Sequence, residues 1–150
     1  MPIFDFSFKV GASLKDVQEF HVDTRALKRL NPPFIFVQLH RVDPMAEGSI
    51  SEFTLWMGPI PIRWRAVHSN IDPQGFTDTQ ENGPLKFWRH THHFQSLDDN
   101  TTQIQEHIEY EYFAGWRGIL SRILFGRWGL LALFTYRKLI TRWVLRKEAA

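Results

Sequence analysis

The chain has 150 residues, 43% of them hydrophobic and 23% charged, which places it with globular proteins and excludes a disordered or low-complexity chain. It contains no cysteine, so disulfides and thiolate chemistry are excluded. The net charge of +2 hides an asymmetry: Gly115 to Ala150 holds eight basic residues and one acidic residue, a net of +7, so the remaining chain carries −5. A basic segment of this kind fits acidic surfaces, anionic lipid headgroups or nucleic acid, and it is equally the composition of an ordinary solvated helix face. The aromatic fraction of 15%, with thirteen Phe and six Trp, is bulk for a core first and for the wall of an apolar pocket second.

In chain order, Phe4, Phe6, Phe8 and Val10 alternate with Asp5, Ser7 and Lys9, the period-2 pattern of a half-buried strand. Gly11-Ala12 ends it. Ser13 to Asp16 has the spacing of a capping box, and Leu14, Val17, Phe20 and His21 follow at helical intervals. A second short helix starts at Asp23-Thr24 and stops at Asn31-Pro32-Pro33, because proline lacks a donor and pushes its predecessor out of the helical region. Six strands are predicted next: Phe34 to Val42, Gly48 to Met57, Ile60 to Ile71, Gly75 to Glu81, Lys86 to Ser96 and Thr101 to Phe113. Short Gly, Pro, Asp and Asn turns separate most of them, which favours antiparallel neighbours, since parallel pairs need long crossovers.

The last quarter is helical but broken by Gly115, Gly118, Gly126 and Gly129. The pattern predicts a short helix near Trp116 to Phe125 and a longer one from about Trp128 to Lys147. On the latter, Leu130, Leu133, Tyr136, Ile140, Trp143 and Val144 fall on one arc, with Lys138, Arg142 and Arg146 opposite in solvent. Arg137 breaks the rule by projecting from the apolar arc. The resulting architecture is α+β, one domain over residues 1–150: a curved antiparallel sheet of about seven strands around a long C-terminal helix, with a cavity between them.

The N-terminus lacks the basic and apolar regions of a signal peptide, and the longest charge-free run outside loops, Trp128 to Tyr136, falls short of the ~20 residues that cross a bilayer. The expected location is cytoplasmic, with peripheral membrane contact through the basic C-terminal segment as an alternative.

This order of elements, with particular residues, resembles the SRPBCC superfamily of helix-grip proteins, which includes START lipid-transfer domains, the birch-pollen allergen fold and polyketide cyclases. Phe20-His-Val-Asp23 with Leu27 and Leu30-Asn-Pro-Pro33 is similar to the two short helices of that family. Phe76-x-Asp78-x-Gln80, Gly83-Pro84, Trp88-x-His90-x-His92-x-Phe94 and Phe134-x-Tyr136-Arg137 are similar to its later signatures, closest to the bacterial single-domain cyclase/dehydrase-like branch. The resemblance covers essentially the whole chain and implies a deep cavity used for lipids, polyketides, quinones or other apolar molecules.

Strand parity predicts the cavity wall, because alternate residues share a face. If Phe94 points inward, so do Trp88, His90 and His92; Glu106 goes with Ile104, Ile108 and Tyr110; Asp78 and Gln80 go with Phe76; His68 goes with Trp64 and Ala66. With Leu133 and Arg137 from the helix, these are the candidate ligand-binding residues. His93 faces away. Buried ionisable groups must be paired, so three readings stand beside one another: a satisfied polar network, with Arg137 on Glu106 or Asp78; a polar anchor for an apolar or amphipathic ligand; and acid–base catalysis of the cyclase or dehydratase type by His90 or His92 with Glu106 or Asp78. Two certain histidines fall short of a metal site, so no metal is expected. No cofactor motif occurs, and in Arg63-Trp64-Arg65 alternation sends the Trp away from both arginines, which argues against a nucleic-acid surface.

Overall fold

The computed structural model describes residues 1–23 and 25–149, and of Lys147 to Ala149 only the helical backbone. Seven strands form one sheet: β1 (Ile3–Val10), β2 (Ile35–Val42), β3 (Ile50–Met57), β4 (Ile60–Asp72), β5 (Gly75–Asn82), β6 (Phe87–Asp98) and β7 (Thr101–Glu111). Their order across the sheet is β1-β7-β6-β5-β4-β3-β2, with every neighbouring pair antiparallel. The chain therefore adds strands in sequence from β2 to β7 and closes with β1 on the outside of β7. Strand alternation is realised most cleanly in β7, where Thr102, Ile104, Glu106, Ile108 and Tyr110 are buried and their neighbours are not.

Helices α1 (Leu14–Val22) and α2 (Ala26–Leu30) fill the link between β1 and β2. Ser13 caps α1, its Oγ accepting from the Asp16 backbone N–H at 3.2 Å, the bond that the capping spacing calls for. α2 has no side-chain cap of this kind at its N-cap, Arg25. Asp23, which ends α1, accepts from the Arg25 N–H at 3.0 Å in the turn between the helices, and Thr24, named with it as a helix start, lies outside the described residues. Asn31 ends α2 by donating its side-chain amide to Leu27 O at 2.8 Å.

After β7, a 3-10 turn (Gly115–Gly118) leads into α3 (Ile119–Leu124) and then α4 (Arg127–Ala149). The Ser121 hydroxyl donates to Pro84 O at 2.7 Å and ties α3 to the β5–β6 turn. α4 lies across the concave face, and its seat differs from the arc read from the sequence. The buried residues are Leu130, Phe134, Thr141, Val144 and Leu145, whereas Trp143 is 60% exposed, Tyr136 half-buried and Lys138 half-buried rather than in solvent. At about 100° per residue this displaces the buried stripe by roughly a quarter turn. The cause is Phe134, whose ring packs 5.5 Å from Phe4, 6.1 Å from Phe6 and 5.4 Å from His90. Apolar residues occur on both sides of that stripe, so periodicity alone admits either seat. The rotation brings Arg137 into the middle of the buried face.

Candidate functional site

Sheet register builds the site. Asp78 on β5 stands opposite His90 on β6, and one step along, His92 on β6 stands opposite Glu106 on β7. All four side chains point to the concave face, so two rows of cross-strand pairs converge on one cluster. His90 Nε2 donates to Glu106 Oε2 at 2.6 Å, and His92 Nε2 donates to Asp78 Oδ2 at 2.8 Å. His92 Nδ1 lies 3.0 Å from the same Glu106 oxygen but off the hydrogen-bonding direction, and the two imidazoles overlap with centroids 3.8 Å apart.

Burial works against every charge in this cluster, and the carboxylates decide which survive. For His92, burial lowers the pKa, but Glu106 and Asp78 outweigh it and push the group up to about 9, so it is an imidazolium at neutral pH. His90 goes the other way: burial and the neighbouring His92 charge lower it despite Glu106. Burial also opposes the charge on Glu106, but the two histidines bring it well below the usual carboxylate range, and Asp78 is lowered as well, against burial, through His92 and His90. Two adjacent imidazoles thus hold different protonation states.

Two further side chains approach from the helices. His21 on α1 donates Nδ1–H to Val17 O at 2.8 Å, which leaves Nε2 as an acceptor; burial lowers its pKa to about 4, so it is neutral. Its ring lies 6.2 Å from that of His92. Arg137 on α4 donates Nε–H to Leu30 O at 3.2 Å, and its guanidinium sits 5.1 Å from the Phe134 ring centroid. Burial lowers its pKa, yet a guanidinium in protein stays charged. Glu106 and Asp78 act on it through the field alone; the direct ion pair that the satisfied-network reading of the sequence held is not formed, because each carboxylate is taken by a histidine.

The cluster closes one end of a cavity of about 160 Å³ between the sheet, α1–α2 and α4. Of the residues predicted to line it, Trp64, His68, Asp78, Trp88, His90, His92, Leu133 and Arg137 do so. Gln80 instead closes the β5–β6 turn, its amide donating to Leu85 O at 2.7 Å and accepting from the Leu85 N–H at 3.2 Å. Glu106 lies behind the histidines, and Ile108 and Tyr110 are packed in the core; none of the three is on the cavity surface. Strand parity left out other parts of the wall: His21, Asn31 and Phe125 from the helical segments and Phe53 from β3 all line the cavity. His21 was legible, since it follows Val17 by four residues on the buried face of α1. His68 is held by Nδ1–H donated to Ser49 O at 3.2 Å.

One nitrogen or oxygen from each of Asp78, His90 and His92 falls within 4.8 Å of the others, so a third donor joins the two histidines counted in the sequence. A cation there would have to displace the His92 proton and the His92–Asp78 bond.

A seven-stranded antiparallel sheet gripping a C-terminal helix, with two short helices after the first strand, is the helix-grip fold of START-like SRPBCC proteins. Solved structures share it along nearly their whole length. A START superfamily protein from Mycobacterium smegmatis superposes with a TM-score of 0.71 at 11% identity, over 97% of each chain. The Zhui aromatase/cyclase from Streptomyces sp. R1128 gives 0.69 at 17%, over 99% of this chain and 93% of that one. Norcoclaurine synthase from Thalictrum flavum, in complex with dopamine and hydroxybenzaldehyde, gives 0.67 at 17%, over 93% and 86%. At these identities the likeness is one of fold. No protein-family model matches the chain, and no curated protein matches it in sequence.

Proposed function

We propose that the protein binds a small amphipathic molecule, an apolar body about the size of one ring carrying a carboxylate or carbonyl, with that acceptor directed to Arg137. The observation that carries the reading is Arg137 itself. A guanidinium has five N–H donors, and among the described residues only one is used, at Leu30 O, on the wall of an otherwise largely apolar cavity. Cavity size bounds the ligand: space of roughly 150 Å³ accommodates a benzene-sized molecule, and this cavity measures about 160 Å³. The single-ring compounds held by norcoclaurine synthase are of that size class and support the reading by analogy of fold.

Thermal shift and calorimetric titration with benzoate, 4-hydroxybenzaldehyde, toluene and palmitate test it. At a hundredfold excess over Kd, a bound ring with an acceptor raises Tm by about 5–10 °C, and Arg137→Met removes its advantage over toluene. Binding of palmitate alone, or of no acceptor-bearing ring, would falsify the assignment.

The split protonation of His90 and His92 favours a second reading, acid–base catalysis on a carbonyl compound, with His92 as the proton donor and His90 or His21 as the acceptor. On this reading His92→Gln retains ligand and loses turnover; equal turnover in the variant removes it.

A further inference from the structure

Large apolar side chains left on the surface are dense in the segment that follows β7, although Phe34, Phe36 and Trp143 are exposed elsewhere. Trp116 is 82% exposed, Trp128 80% and Ile123 68%, with Ile119 and Leu120 exposed between them. All five fall within thirteen residues, on the 3-10 turn, α3 and the first turn of α4. Interleaved with them are Arg117, Arg122 and Arg127, all exposed, and none is paired with a carboxylate among the described residues. Arg117 instead lies over the Phe113 ring at 4.5 Å and Arg122 over the Tyr112 ring at 5.3 Å. Between Tyr112 and Lys147 the sequence has no acidic residue.

We propose that this face docks on the surface of a bilayer containing anionic phospholipid. Tryptophan with short apolar side chains settles at the level of the headgroups, where the ring is part apolar and part wet, and arginines on the same segment meet the phosphates. By length and composition alone, the stretch Gly115–Arg146 passes for a membrane-crossing helix. The fold assigns it a position on the membrane instead: α3 has six residues, and α4 is committed to the sheet through Leu130, Phe134, Thr141 and Val144. A second copy of this chain is a poorer occupant, because a twofold contact sets the same patch against itself and brings the unpaired arginines together. A nucleic acid would leave Ile119, Leu120 and Ile123 without apolar contacts. The cavity lies directly behind, since Phe125 and Leu133 of the same segment form part of its wall.

Co-sedimentation with vesicles of phosphatidylcholine alone, and of phosphatidylcholine with about one third phosphatidylglycerol, tests the assignment at low and high salt. The protein is retained by the anionic vesicles at low salt, and retention falls at about 0.5 M salt, where charge is screened. The variants Trp116→Ser/Ile123→Ser/Trp128→Ser and Arg117→Glu/Arg127→Glu each bind at least about tenfold more weakly. These residues are exposed, so both variants keep the wild-type circular dichroism, and because the cavity is untouched they keep its ligand response. No retention of wild type at low salt, or equal retention of both variants, overturns the proposal. So does a concentration-dependent dimer that the serine variant abolishes, which would give the face to a second copy.

Discussion

Two histidines one pleat apart on β6 carry opposite shifts, and the difference is a matter of partners. His92 has Asp78 at 2.8 Å and Glu106 at 3.0 Å, whereas His90 must share its space with the charge on His92. The sign of the resulting pH dependence follows by linkage. The folded-state pKa of His92 is raised from 6.5 to about 9, so its contribution is fully present below 6.5 and lost as pH rises through 9. The pKa of His21 is lowered to about 4 and that of His90 is lowered too; the unfolded chain binds these protons first, so stability falls as pH drops below 6.5. Glu106 and Asp78, both lowered, add to that loss at still lower pH. Tm is therefore greatest at about pH 6.5 and declines on both sides. In His92→Gln the alkaline decline flattens while the acid decline remains. An unchanged alkaline limb in a thermal-shift series would show that His92 is not the buried cation.

Among the elements, the β5–β6 pair positions the cluster, and Gly75 sets its register. Its φ of +144° is a conformation that side chains rarely adopt, and a Cβ there would lie 1.9 Å from the carbonyl oxygen of His92. Gly75→Ala must displace the strand that presents His92. The expected result is a loss of about 2 kcal/mol or more, together with an altered His92 environment. Urea unfolding reads the first and imidazole proton resonances the second; a variant of wild-type stability with unchanged resonances would show that β5 has room to move. The long helix is a different case. Arg137 was legible as the odd residue of an apolar stripe, but its partner was not, because a helical wheel gives an angle around the axis and leaves the facing surface unspecified.

At the scale of the whole molecule, sheet and helix depend on each other. The concave face buries Phe4, Phe8, Trp64, Trp88, Phe94, Ile104 and Ile108, and α4 is a large part of what shields them from water. A chain ending at Ala114 leaves that face open, and burial of side chains this size is worth roughly 1.5–3 kcal/mol each. Such a chain is expected to lose cooperative thermal unfolding and to self-associate, as scanning calorimetry and size-exclusion chromatography would show; a monomeric, cooperatively folded product would mean the sheet has a core of its own.

The sequence by itself determined the order of elements, the inward face of β4, β6 and β7 and the concentration of basic residues near the C-terminus, since these depend on local periodicity and turn chemistry. Parity could place His90, His92, Glu106 and Asp78 on one surface because side-chain direction in a strand has a period of two. Only the tertiary structure decided how they pair, that Gln80 serves a turn, that His21 and Asn31 reach the cavity, and which side of α4 faces inward. Those outcomes turn on the register between strands and on the seat of Phe134, and both are set by contacts between residues far apart in the chain.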